Sequence, residues 1–276
     1  MKIIAAGECC LDYYEGESQP RLGGITFNFA LHAAGSFPNA EIHLLSAVGQ
    51  EDRNSFTDRL VAAGIHHDLT LVESTPSIGI RLDDSGERTF HGYNPGGLLD
   101  WQVSEAQRRT IESADLVVLT RYHEIASLYR RLVRIPTRGK RVIDFADISG
   151  TPVTDLDTAL ADRELADVCI FGISPHEHSL RDGLLTMARE NGGLFVITLA
   201  AEGAVAIERG IIHKQPAFPV SGVIDTTGAG DCFAAHFLSR WCNMASIDEA
   251  LAAGCRAASR IIQQRGASPK QRTLPG

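Results

Sequence analysis

The sequence predicts an α/β fold, a mostly parallel central sheet covered by helices on both faces. Two observations carry this expectation. Short apolar runs alternate with amphipathic stretches along most of the 276 residues, the pattern of strands joined by crossover helices. The apolar runs are also too short to be helices and are bounded by turn residues, as strands buried on both faces should be.

In chain order, Lys2 to Ala6 opens as the first buried strand, followed by an amphipathic stretch from Phe27 to Ala34. Ile42 to Val48, Leu116 to Leu119, Val142 to Phe145, Val168 to Phe171 and Phe195 to Leu199 supply the further strands. Ser55 to Ala63, Ile125 to Val133 and Leu180 to Glu190 supply helices between them. Ser77 to Leu82 and Thr89 to Tyr93 flank the polar turn Asp83 to Arg88 and read as a β-hairpin that breaks the alternation. Tyr13-Tyr14 and Arg21-Leu22 add short strands beside it. Together these segments read as a small lid over one end of the sheet, or as a surface hairpin. A second hairpin is predicted from Ala204 to Ile207 and Ile211 to Lys214 around Glu208-Arg209-Gly210. Near the end, Phe233, Phe237 and Trp241 recur at i, i+4 and i+8 with Ala234 and Leu238, giving one apolar helix stripe. Ser246 and Glu249 form a capping box for a helix running toward Ile262, and the residues after Pro269 read as frayed.

Composition narrows the function. Net charge is −8 and the sequence pI about 5.7, so a general basic field for nucleic acid is not expected. Six cysteines, at 9, 10, 169, 232, 242 and 255, contain no C-x-x-C pair, which fits reduced thiols in a cytoplasmic protein. No run approaches the eighteen or so apolar residues of a membrane span, and the first residues are too short an apolar run for a signal peptide. His66-His67 and His176-Glu177-His178 lack H-E-x-x-H spacing and read as solvated histidines of loops or helix starts.

The segment that carries chemistry is Asp225-Thr226-Thr227-Gly228-Ala229-Gly230-Asp231. It is a small-residue turn opening the Phe233 helix. Such a turn aims main-chain N–H groups at one point where the helix dipole favours negative charge. Glycine lets an anion approach, and Asp231 stands where it could take a proton from an attacking hydroxyl. Phosphoryl transfer to an alcohol is the expected chemistry. Near the N-terminus, Asp12 follows the first strand and Gly23-Gly24 leads to Asn28 at a helix start. These offer an acid and an amide suited to sugar hydroxyls. A P-loop kinase is disfavoured, because G-x-x-x-x-G-K-[ST] is absent and no lysine lies near the 228 to 230 turn. A nicotinamide oxidoreductase is disfavoured because Gly7-Glu8-Cys9-Cys10 stands where G-x-G-x-x-G would be. A non-catalytic sugar or nucleotide sensor stays as the alternative.

The succession of Asp12, Gly23-Gly24 with Asn28, Val48-Gly49-Gln50-Glu51-Asp52, Thr198-Leu199-Ala200-Ala201-Glu202-Gly203 and Asp225 to Asp231 resembles the ribokinase-like (PfkB) carbohydrate kinases over essentially the whole chain. The resemblance implies one three-layer α/β/α domain over 1–276, with lid segments at about 12–24 and 75–97. It also implies MgATP as phosphoryl donor and a sugar hydroxyl as acceptor. Asp231 would then be the catalytic base, and the amides of Gly228, Ala229 and Gly230 the anion hole. Asp12, Gly24 and Asn28 would hold the sugar, and Thr198, Gly203, Cys255 and Ala258 would lie along the nucleotide. Glu177 would reach Mg2+ through water, while Asp225 and Thr227 would border a monovalent cation such as K+. Three departures stand out. Ser174 replaces the asparagine of N-x-x-E while Glu177 remains, Ala200 replaces the first glycine of T-L-G-x-x-G, and the acidic pair after Val48-Gly49 is offset to Glu51-Asp52. Phe90 to Gly96, Asp144 to Asp147 and Ser174-Pro175 are similar to the fructoselysine 6-kinase branch. On that reading the substrate is fructoselysine or a related ketose or aminosugar adduct, phosphorylated at its primary hydroxyl, with Arg81 and Tyr93 facing it. A ketohexose or nucleoside acceptor is the alternative within the family. The expected partners are the sugar and ATP, with no nucleic acid or membrane, and with the lid as a homodimer surface.

Overall fold

A computed structural model describes residues 1–269; the expectation of fraying after Pro269 falls on 270–276, outside the described residues. Strands β1 (Lys2–Ala6), β4 (Glu41–Gly49), β5 (His66–Val72), β8 (Leu116–Thr120), β9 (Lys140–Asp147), β10 (Val168–Gly172), β11 (Leu194–Thr198), β12 (Ala204–Glu208) and β13 (Ile211–Gln215) build a nine-stranded sheet. Its order is β13-β12-β11-β10-β9-β8-β1-β4-β5, parallel from β11 to β5 and antiparallel across the β12–β13 hairpin. The chain leaves central β1 toward β4 and β5, then returns through β8 toward the other edge. The β1–β8 boundary is therefore a topological switch point, where the carboxyl ends of the strands open a crevice.

Alternation within β1 decides how the layers form. Ile3 and Ala5 enter one core with Phe27, Leu44, Val48, Phe233 and Phe237, while Ile4 and Ala6 enter the opposite core with Leu45, Trp101, Val117 and Phe145. Helices α1 (Ile25–Ser36), α2 (Arg53–Ala62), α7 (Ala229–Cys242) and α8 (Ile247–Ile261) contribute to the first core; α4 (Ala126–Leu132), α6 (His178–Asn191), and the short α3 (Glu105–Glu112) and α5 (Leu156–Ala159) to the second. The α7 stripe packs as its spacing requires, with Phe233 and Phe237 stacked at 5.8 Å between ring centroids. Burying each ring is worth about 1.5–3 kcal/mol. The capping box at Ser246 is present, with Glu249 N–H donating to Ser246 Oγ.

A second sheet, of order β3-β2-β6-β7, joins β2 (Cys10–Tyr14), β3 (Arg21–Gly23), β6 (Ser77–Leu82) and β7 (Arg88–Asn94). The segments read from sequence as hairpin and flanking strands thus share one sheet. One expectation is corrected: His66 and His67 open the edge strand β5, in register with His43 and Leu44, and do not lie in a loop. Among the described residues no helix is long and apolar enough to cross a membrane.

Candidate active site

Two helices aim their N-termini at the crevice, and neither has a side-chain cap. Helix α1 starts after Gly24 at φ 99°, and α7 after Gly228 at φ 76°, conformations in which a Cβ is strained. Space reinforces the requirement. A Cβ on Gly24 would lie 2.9 Å from Cys10 N, and one on Gly228 would lie 2.6 Å from the Ala267 backbone. On Gly230, by contrast, a Cβ would meet nothing within 4 Å, so the first turn of α7 faces open space. Amides of a first turn have no acceptor within their helix. Ala229 N–H donates outside the helix, to Thr226 O at 3.3 Å, while Gly230 and Asp231 N–H have no main-chain acceptor among the described residues.

Asp231 lies in that first turn, only 8% exposed, and its Oδ2 accepts from Asn28 Nδ2 at 2.9 Å, joining α7 to α1. Burial raises its pKa to about 8, and the neighbouring charge of Asp144 pushes the same way, while the Asn28 hydrogen bond opposes them. Asp144, at the carboxyl end of β9, is itself lifted to about 6 by burial and steadied by Ala146 N–H at 2.8 Å. Asp12 on β2 is raised well above the usual carboxylate range by burial, and after that by the charges of Glu8, Asp231 and Asp225.

Glu8 is the residue that sequence reasoning missed. Directly after β1, it accepts at Oε2 from Tyr93 Oη at 3.0 Å and also from Tyr122 Oη, whose hydroxyl lies 2.9 Å from that of Tyr93. Burial raises its pKa as well, with the two tyrosine bonds and Ile25 N–H opposing the shift. The structure therefore brings Asp12, Asn28, Asp144, Asp231 and Glu8 together, with Tyr93 joined to them through Glu8. Arg81 is different. It is exposed and held by Glu15, in the turn just after β2, through Nε and Nη2 at 2.8–3.0 Å.

The C-terminal segment closes the rear of the site. Gly266 N–H donates to Asp225 Oδ2 at 2.7 Å, Ala267 O meets His32 Nε2 at 2.9 Å, and Ser268 Oγ donates to Asn28 Oδ1 at 3.1 Å. Asp225, fully buried, also accepts from Thr227 N–H, so both its oxygens brace the loop. Beside Asp225, Tyr14 Oη and Thr227 Oγ1 are buried with no hydrogen-bond partner among the described residues. Oxygen donors around a carboxylate suit a hard cation or a water.

The remaining expected residues stand on separate elements. Thr198, at the end of β11, donates through Oγ1 to Phe171 O at 3.2 Å. Gly203 has φ 97°, and a Cβ there would lie 2.1 Å from Gln215 O, so only glycine fits. Cys255 Sγ points at the same Gln215 carbonyl from α8, one turn before the half-buried Ala258. Glu177 stands before α6 and accepts Gly150 N–H at 2.7 Å. It adjoins a cavity of about 440 Å³ lined by Gly150 to Val153 and His176 to Leu180. Ala200 occupies φ 45°, a left-handed conformation that a glycine would adopt without strain.

Residues 172–274 match the family described as pfkB family carbohydrate kinase. The chain is similar to fructoselysine 6-kinase of Escherichia coli K12, at 27% identity over 97% of this chain and 100% of that protein. In fold it resembles the adenosine kinase of Sinorhizobium meliloti, with TM-score 0.80, 18% identity and coverage of 97% and 95% of the two chains. It also resembles a Vibrio cholerae fructokinase double mutant in its fructose, ADP and potassium ion bound form, with TM-score 0.75, 20% identity and coverage of 96% and 93%. At such identities the solved structures speak for the fold, which is the ribokinase-like α/β fold.

Proposed function

We propose that this chain is a carbohydrate kinase of the pfkB family, and that Asp231 is the base through which it moves the γ-phosphoryl group of ATP to a primary hydroxyl of an amine-bearing ketose. The observation that carries the reading is the placing of Asp231. A buried carboxylate of raised pKa, oriented by Asn28, sits in the first turn of a helix whose N-terminus is open at Gly230.

In this reading Asp12 and Asn28 hold the sugar, with Gly24 letting the main chain come close. Asp231 takes the hydroxyl proton as the sugar oxygen bonds to the γ-phosphorus; the bond from that phosphorus to the bridging oxygen breaks, and ADP leaves. The open amides around Gly228 and Gly230 receive negative charge that grows on the transferring group. ATP would lie along Thr198, Gly203, Cys255 and Ala258. The donor set fits a divalent ion, which Glu177 would hold through water and which supplies neutralising charge on the phosphates. The unpartnered Tyr14 and Thr227 hydroxyls beside Asp225 suit a monovalent ion such as K+ behind the loop. The four-stranded sheet acts as the lid, and the chain reads as one domain whose lid is also its homodimer surface.

Charge supports the substrate class. After burial itself, the charges of Glu8 and Asp231 raise the pKa of Asp12, and those of Asp144 and Glu8 raise that of Asp231, where Arg88 is the cation that opposes them. A protonated amine on the sugar would relieve that repulsion, whereas a neutral hexose or a nucleoside would not. Fructoselysine carries such a group, and a relative of that name spans the chain's length. The test is a coupled ADP-release assay with MgATP over fructose, 1-amino-1-deoxyfructose, fructoselysine, hexoses and nucleosides, with and without K+. Turnover is expected for the amine-bearing ketoses at a lower KM than for fructose. Release with nucleosides alone would overturn the substrate class, and silence across the panel would overturn Asp231 as a base in favour of a binding protein.

A further inference from the structure

At the opposite end of the sheet from Asp231 lies a second cluster that the kinase reading does not use. Glu41 and His43 sit two residues apart on β4, so their side chains leave the same face, and parallel pairing sets His66 of β5 directly across from His43. The two imidazoles stack with centroids 4.7 Å apart, and His43 Nε2 lies 2.5 Å from Glu41 Oε1. One ligand atom from each of the three side chains lies within 4.8 Å of the other two. The spacing within the sequence gives no hint of this, because the third ligand is supplied by register across two strands.

We propose that Glu41, His43 and His66 form a site for one divalent transition-metal ion of the zinc type. Two imidazoles and one carboxylate are a common ligand set for such ions, with water completing the shell. Tetrahedral binding with bonds of about 2.0–2.2 Å needs ligand atoms roughly 3.3–3.6 Å apart. The exposed Glu41 and His66 side chains can close that gap by rotation while the half-buried His43 stays fixed. Lys2 stands across from Glu41 on β1 and its charge reaches Glu41 and His43, but its ammonium donates to Ser113 Oγ at 2.9 Å and forms no ion pair with Glu41 among the described residues. Because β5 is an edge strand that pairs only with β4, the ion would bind it to the sheet by side chains as well as by main-chain bonds.

The test uses the full chain, free of any histidine tag and stripped with a chelator. Zn2+ is titrated by calorimetry and against a chromophoric zinc chelator, and Co2+ is added separately to read its visible absorption. One equivalent should bind, raise the melting temperature, and give the absorption of a low-coordinate cobalt ion. His66→Ala and His43→Ala should each weaken that equivalent by roughly tenfold or more and abolish the thermal shift, with kinase turnover unchanged. His66→Gln is the check on folding, since His66 is exposed and the substitution touches no core. The proposal is overturned if the wild type takes up no equivalent. It is also overturned if the histidine variants bind as tightly as the wild type, which would assign zinc to the thiols or to the active site.

Discussion

Replacing Asp231 by asparagine, and following the wild type across pH, tests the base assignment most directly. With a pKa of about 8, held there by burial and by Asp144, Asp231 in the free enzyme is ionised in roughly one molecule in ten at pH 7 and about nine in ten at pH 9. A base works when ionised, so kcat/KM for a sugar that does not titrate should rise about tenfold across that interval. Asn28 donates to the ionised form at 2.9 Å; a hydrogen bond to a charged group is worth about 1.5–3 kcal/mol, so Asn28→Ala should move the midpoint up by roughly one to two pH units. Asp144→Asn removes a like charge and should move it down. Asp231→Asn should lose about 10²- to 10⁴-fold in turnover and lose the ascending limb with it. Stability gives an independent reading. In the unfolded chain Asp231 ionises near the usual value of about 3.9, while in the folded chain it stays protonated up to about 8. The wild type therefore loses stability as pH rises through that window, and the asparagine variant, having no such proton to lose, should melt higher than the wild type on the alkaline side. The assay is coupled ADP release at each pH with coupling enzymes in excess, alongside thermal melts. A flat wild-type profile between about pH 6 and 9, or an Asp231→Asn enzyme with near-normal turnover, would refute the reasoning.

Three further substitutions separate packing from function. Gly230→Ala puts a methyl into space that holds no protein atom within 4 Å, so melting should stay near the wild type while the KM for ATP rises and kcat falls; Gly228→Ala, strained at φ 76° and 2.6 Å from Ala267, should instead lower stability by about 1 kcal/mol or more. Ala200→Gly relieves an exposed residue at φ 45° and should stabilise by up to about 1 kcal/mol, a rise of ~2 °C in melting temperature, and a clear fall would show that the strain is not there to relieve.

What the sequence disclosed follows from which forces leave a local signature. The strands buried on both faces were legible because each is a short apolar run, and α7 because Phe233 and Phe237 repeat at helical spacing. β5 was not, because as an edge strand it buries only Leu69, so His66-His67-Asp68 looks like a loop until pairing with β4 is seen. Helix α3 escaped notice because its burial rests on Gln107 and Ile111, although the Ser104–Gln107 capping box stood in plain view. Within the site, Asp231 and Gly228 were readable because a helix start needs such residues in a fixed order. Glu8 was not, since its role depends on hydroxyls 85 and 114 residues away. The histidine–glutamate cluster stayed hidden for the same reason.

The short strap at Gly266 to Ser268 has a consequence for how this enzyme comes to life. It meets His32 and Asn28 across 235 and 240 positions of chain, so the groups that orient the base cannot be assembled by any local segment. Loops that long close late. During refolding, far-ultraviolet ellipticity should therefore recover before the first molecule of ADP is released, and turnover becomes a clock for the final tertiary event.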